Sequence, residues 1–363
     1  MTRRMFKTAL AAFALSLSGC ATSYGAQTVA PSGYDYNTAI ADSVDQQLLL
    51  NLVRLRYRDT VVFMNITSVT TQHQYSAGLS AENNIPFRQA SDGGTLITPS
   101  AAYSESPTIT YAPVSGTEFA TNLLSPISPE TIVLLANSGW SIERLMNCCI
   151  EHLGRLSNAP SASGPTPSQL PDNSEFRRLA RFLRQLQMRE QVYVERWVSE
   201  AGEPEDANLF VDAGQGFECE ELKRLLGISS CEAQFSLVPH HTVRDGTELR
   251  VQTRSVLGAL YNLSHAVLVP EEHMRAGYVT QSSVVSPNTA TWRAFLADQF
   301  QIKTSKTDPG HAFVKIQYRD HWFWIEDSDL ESKTTFSLIL FLVSLQSAAS
   351  EGVTPLLTVS ASR

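Results

Sequence analysis

Between Val69 and Ala81 the chain alternates without interruption. Val69, Thr71, His73, Tyr75, Ala77 and Leu79 fall on one side, and Thr70, Gln72, Gln74, Ser76, Gly78 and Ser80 on the other. A period of two belongs to a pleated strand with one mildly apolar and one polar face. After a polar loop (ENNIPFRQASDGG), a second extended stretch rich in Thr, Ser and Tyr runs from Leu96 to Pro113. Together they predict a long β-hairpin, and any fold of this chain must accommodate it. Two roles fit. Barrel strands alternate apolar and polar positions over about 10 residues, so several copies could contribute such hairpins to a shared barrel. Alternatively the hairpin packs on its own domain, which His73 and the scarcity of large residues on the apolar face favour.

The remaining periodicities are mixed. Asn37 to Tyr57 keeps mostly helical spacing, with Ile40, Val44, Leu48, Leu49, Leu52, Val53 and Leu55 as its apolar positions and Arg54, Arg56 and Arg58 at its end. Ser128-Pro129 reads as a helix start, with Ser at the N-cap and Pro at the first helical position. Ser174 to Arg189 is amphipathic: Phe176, Leu179, Ala180, Leu183 and Leu186 form one face, and Arg177, Arg178, Arg181 and Arg184 lie off it. Residues 157–173 (SNAPSASGPTPSQLPDN) are small, polar and proline-rich, the composition of a linker. Near the end, Ala312–Tyr318 and His321–Ile325 read as strands joined by a turn at Arg319-Asp320. A strongly apolar helix (334–347) and a last strand (356–359) follow. The expected fold is α+β, or α/β, in two small mixed domains: an N-terminal one at 36–156 with the hairpin, and an α/β one at 174–363 ending in a β-β-α-β unit.

The N-terminus gives an address. Arg3, Arg4 and Lys7 precede an apolar run from Ala9 to Leu17, followed by Leu17-Ser18-Gly19-Cys20. The run is of secretory-signal length and shorter than the about 20 residues that span a bilayer. The ending resembles the lipobox of bacterial lipoproteins. The resemblance implies removal of residues 1–19, acylation of Cys20 and a membrane anchor. Ala21, in place of an aspartate, points within that family to the outer membrane, with the body in the periplasm. Residues 20–35 then serve as a flexible tether. The chain has a formal net charge of −8, and loss of the three positive signal residues takes the mature part to about −11. An acidic exported protein is a poor partner for nucleic acid, which is excluded.

Four cysteines remain. Cys219 and Cys231 flank a helical stretch, and a disulfide between them would contribute about 3 kcal/mol, while a reduced pair is equally consistent. Cys148 and Cys149 are adjacent, which suits packing better than zinc ligation. No catalytic motif is recognisable. His240-His241 follows Pro239 in a strand-like stretch that points the two side chains apart, neither HExxH nor GxSxG is present, and Gly214-Gln215-Gly216 reads as a turn. Glu326, Asp327, Asp329 and Glu331 precede a helix, where they suit its dipole. No cofactor and no metal site is expected, and the chain does not read as an enzyme.

The segment HWFWIEDSDLESKTTF (321–336), together with TRSVLGALYNLSHAVLVP (253–270), NLVRLRYRDTVVF (51–63) and SPTITYAPVSGTEF (106–119), is similar to an uncharacterised family of bacterial envelope proteins. Trp322, Phe323 and Trp324 place aromatic side chains on both faces of one strand, and one face needs a cover. Trp322 and Trp324, with Arg254, Asp327, Asp329 and Lys333, form the candidate interaction surface. The functional expectation is a membrane-anchored structural or assembly subunit of an envelope or export complex, with envelope proteins or its own copies as partners. The alternative is a periplasmic binding module for a small molecule or glycan.

Overall fold

The computed structural model describes residues 24–83, 95–113, 117–164, 173–198, 204–214, 216–228, 232–239, 248–279, 296, 298–348 and 357–360. Helix α1 (Tyr24–Tyr57) precedes strands β1 (Met64–Asn83) and β2 (Thr95–Pro113). Helices α2 (Thr117–Leu124), α3 (Pro129–Asn137) and α4 (Ile142–Cys149) follow, then β3 (Ile150–Leu153), β4 (Leu156–Ser157) and a 3₁₀ turn (Pro160–Ser163). The middle of the chain holds α5 (Ser174–Met188), β5 (Val192–Val198), β6 (Pro204–Asp212), α6 (Phe217–Leu226), β7 (Glu232–Pro239) and β8 (Glu248–Thr253). The last part holds α7 (Val256–Ser264), α8 (Glu271–Arg275), β9 (Lys303–Ser305), β10 (Val314–Tyr318), β11 (His321–Ile325), α9 (Leu330–Ala348) and β12 (Leu357–Ser360). The class is α+β, as the periodicities predict.

Two compact units emerge, each discontinuous in sequence. The larger takes the chain up to Val61 and again from Leu123 to Ser344; the smaller takes Val62–Asn122 and the chain from Leu345 onward. The larger unit has a six-stranded sheet in the order β4-β3-β8-β7-β6-β5, antiparallel except between β7 and β8. The predicted apolar face of α5 is buried in full. Phe176, Leu179, Ala180, Leu183 and Leu186 join Leu209, Val211, Leu249 and Val251 of the sheet and Leu222 and Leu225 of α6 in one core. Each such leucine contributes about 2 kcal/mol by leaving water. The arginines off that face meet carboxylates: Arg177 pairs with Asp298, and Arg178 Nε lies 2.5 Å from Glu221 Oε1. A second sheet, β10-β11-β9, buries Phe323 and Ile325 on one face. Tyr57, at the end of α1, stands edge-on to Tyr318 and Phe323 of that sheet.

The smaller unit is built on the predicted hairpin. β1 and β2 pair antiparallel from Met64↔Pro113 to Asn83↔Thr95, with one irregularity between Ile66 and Ser68. β12 adds a third strand, pairing Leu357–Ser360 with Tyr111–Thr108 of β2.

Three expectations need correction. α1 begins at Tyr24, so much of the expected tether is helical, even though Pro31 removes a backbone donor at a cost of about 3 kcal/mol. The described part of residues 157–173, namely 157–164 and 173, does not behave as an interdomain linker. Within them Asn158, Ala159, Ala162 and Asn173 are buried, and the unit boundaries fall elsewhere. Composition misleads there because alanine, serine and asparagine suit a tight, fully hydrogen-bonded packing as well as they suit water. The closing β-β-α-β order is present, but its last strand joins the hairpin rather than β10 and β11. Among the described residues no helix is long and apolar enough to cross a membrane.

Candidate functional site

Two polar constellations lie in the larger unit. The first surrounds Arg254, which is 1% exposed. Its Nη1 donates to the carbonyls of Asn147 (3.3 Å), Cys148 (3.2 Å) and Ile150 (2.9 Å), and its Nη2 donates to those of Asn158 and Ala159. Its Nε donates to Ser163 Oγ at 3.0 Å, and Ser163 is in turn bonded to Glu151. The last carbonyls of any helix lack partners within the helix and carry the negative end of its dipole. Here a guanidinium and Asn158 Nδ2, which reaches Met146, Asn147 and Ile150, satisfy the end of α4. Burial pulls the Arg254 pKa down from its ordinary value, and Glu151 acts in the opposite sense. Cys148 and Cys149 are buried free thiols beside this network. The hydrogen bond from Cys148, together with burial, raises the Cys149 pKa, as in an inert packing residue.

The second constellation forms where α1, α8 and the β10–β11 hairpin converge. Past Tyr57 the chain leaves the helix through Arg58 at φ 61°, and Asp59 N bonds back to Arg54 O at 2.9 Å. The hairpin turns on two residues, Arg319 and Asp320, at φ 49° and 61°. Such two-residue turns favour Asn-Gly, since left-handed backbone is unfavourable for other side chains. Arg319 is nevertheless held there from several sides. Its guanidinium carbon stands 5.2, 5.0 and 5.5 Å from the ring centres of Tyr57, Tyr278 and Tyr318, and Nη2 donates to Asp59 Oδ2 at 2.9 Å. Asp59 also accepts the Tyr318 hydroxyl. Burial raises the Asp59 pKa, but these bonds outweigh it and hold the carboxyl below its usual range.

Beside this cage lie His273 and His321, 7% and 5% exposed, their ring centres 4.8 Å apart in an edge-on arrangement. His273 Nδ1 is 2.7 Å from the Tyr57 hydroxyl, and His321 Nδ1 is 3.2 Å from the Arg319 carbonyl. His321 Nε2 lies 3.0 Å from Glu272 Oε1, while Glu272 Oε2 receives Lys306 at 3.1 Å. Burial, with the nearby His321, lowers the His273 pKa and so keeps that ring neutral. The Tyr57 phenol is pushed up by burial and stays protonated. Glu272, His273 and His321 each offer a ligand atom, all within 4.8 Å of one another. The arrangement can hold a cation or relay a proton between an imidazole and a phenol.

The residues singled out in sequence do not form one surface. Arg254 is interior and structural. Asp329 caps α9, accepting Ser332 N at 3.0 Å and Ser332 Oγ at 2.7 Å, and Lys333 binds Asp327 at 2.7 Å. Trp322 and Trp324 are half-buried on the face opposite Phe323, where β10 places Lys315 opposite Trp324 and β9 places Lys303 there too. Lys315 Nζ also stands 5.3 Å from the Trp322 ring centre. Cys219 is disulfide-bonded, and Cys231 lies outside the described residues, as do Cys20 and the His240-His241 pair. A separate apolar cavity of about 60 Å³ is lined by Ile132, Val133, Met146, Leu183 and Val251. That is far below the roughly 300–1,000 Å³ of a ligand pocket.

Sequence reasoning missed the Glu272–His273–His321 group because no spacing announces it: Tyr57 and His273 are 216 positions apart. Compared with protein-family models, curated proteins and solved structures, the chain matches none.

Proposed function

We propose that this protein is a lipid-anchored subunit of an envelope assembly, tethered through Cys20 to the outer membrane with its body in the periplasm. It would join copies of itself or envelope partners through the β1–β2 hairpin. One observation carries the reading: the ribbon is long and largely unsupported. β1 has 20 residues and β2 has 19, whereas ordinary strands have about 5–6. At about 3.3 Å per residue β1 extends roughly 65 Å. β12 supports only Thr108–Tyr111. Beyond that, among the described residues, the ribbon has two strands, and an isolated two-stranded ribbon is marginal in water.

Among the described residues, one of its two edges, that of β1, is unguarded. Natural edge strands are blunted by lysine, proline or inward charges. β1 contains no proline, lysine or arginine, and Glu82 is its one acidic residue; β2 carries Pro99 and Pro107, which cannot donate to a ladder. The outer edge of β1 is therefore the better template for a further strand. The hydrophobicity of the N-terminal signal and the acidic charge of the body fit an exported, membrane-attached protein.

The test is the mass of the acylated full-length protein in mild detergent, with co-purifying proteins identified. A discrete oligomer or stable complex is expected, dispersed to single chains by Gln72→Lys with Gln74→Lys on β1. A single chain with no partner would overturn the reading.

A further inference from the structure

The group formed by Glu272, His273 and His321 offers a function that the hairpin does not. Acidic clusters on surfaces mean little, but here two of the three groups are buried imidazoles. Each imidazole is also held from behind. His273 Nδ1 meets the Tyr57 hydroxyl, and His321 Nδ1 meets a backbone carbonyl. Histidines that ligate metals make the same contacts with their second nitrogen, which fixes the ring and reserves Nε2 for the ion. His321 has a further requirement. Its two nitrogens face two acceptors, the Arg319 carbonyl and the Glu272 carboxylate. A neutral imidazole carries one N–H and satisfies only one of them. The other is satisfied either by a second proton, which makes the ring an imidazolium paired with Glu272, or by a cation between Nε2 and the carboxylate, and the titration below separates the two.

We propose that Glu272, His273 and His321 bind one divalent transition-metal ion of the zinc type, through Nε2 of each histidine and Oε1 of the glutamate. Two imidazoles and one carboxylate suit zinc and its neighbours in the first transition row, whereas calcium and magnesium prefer oxygen alone. Three protein ligands leave a fourth position for water or an anionic group. The ligand atoms spread to 4.8 Å, and a tetrahedral ion with bonds of about 2.1 Å needs about 3.4 Å between them. Closing that difference calls for movement of the ligands, and Glu272, whose side chain is 45% exposed, is the least enclosed of the three. Lys306 opposes the closure by holding Oε2, so it acts as a competitor for the carboxylate.

The experiment is a calorimetric titration of the chelator-stripped full-length protein with zinc, backed by the visible spectrum of cobalt in the same site. One ion per chain is expected, with a Kd below about 1 μM. Glu272→Gln, a change at a half-exposed position that leaves the fold intact by melting temperature, should weaken binding at least tenfold. His321→Asn should weaken it further, and Lys306→Gln should tighten it several-fold. No binding up to millimolar zinc would reduce the group to a histidine–glutamate ion pair and overturn the proposal. Equal binding by Glu272→Gln, His321→Asn and the unaltered chain would also overturn it, by placing the ion elsewhere. Neither result depends on oligomerisation, so this proposal and the assembly reading fail separately.

Discussion

Arg254 and Arg319 accommodate the same side chain in opposite ways. Arg254 is enclosed, and five of its partners are backbone carbonyls. Arg319 stands on a two-residue turn in left-handed backbone, among three tyrosine rings and one carboxylate, with its side chain 36% exposed. Carbonyls from five positions cannot be rearranged without unfolding α4 and the 3₁₀ turn, so Arg254 belongs to the fold. The partners of Arg319 are side chains from the end of α1 (Tyr57), the segments just after α1 and α8 (Asp59 and Tyr278) and β10 (Tyr318), and such a set can adjust to a ligand. What separates a structural arginine from an available one is therefore the kind of partner more than the number.

Substitution sharpens the contrast. Arg254→Met leaves several buried carbonyls without donors, and breaking a buried charge network of this kind costs about 3–5 kcal/mol. Urea unfolding should show that loss, or no folded protein at all. A loss below about 1 kcal/mol would put Arg254 on the same footing as Arg319.

The next effect reads the same enclosure through pH. His265 is buried near Arg56 and Arg254, and burial first, then those charges, pull its pKa to about 3 from the ordinary 6.5. The folded-state value lies below the unfolded one. Its contribution is therefore complete above pH 6.5 and is lost as pH falls toward 3, by about 5 kcal/mol in all. His265→Gln should flatten the stability profile across that window. A profile unchanged by the substitution would show that other groups govern acid unfolding.

The smallest effect belongs to Arg319. Its bond to Asp59 is partly exposed, and pairs of that kind contribute about 0–1 kcal/mol. Arg319→Gln should shift the thermal midpoint by no more than about 3 °C. A loss comparable to that of Arg254→Met would make the tyrosine cage a second pillar of the fold.

Which of these features could be read from the chain follows from their range. The Ser128-Pro129 helix start, the α5 face and the Arg319-Asp320 turn are encoded within a few neighbouring residues, and each is found as expected. Ser128 Oγ accepts Thr131 N at 3.2 Å, for example. The hairpin was legible from its alternation, although its register was not. The Arg254 enclosure was hidden because its acceptors are backbone atoms, which carry no residue identity. The histidine pair was hidden because one member sits on α8 and the other at the start of β11. Short-range pattern cannot announce a meeting that depends on tertiary folding.

The pairing of β12 with β2 has a consequence for the order of events in biosynthesis. The ribbon is translated early, and the one further strand that pairs with it among the described residues arrives nearly last. Until then the long edges are present without the strand that steadies their base. Completion of the three-stranded sheet thus waits on β12, so the fold itself sets when the base of the ribbon is steadied.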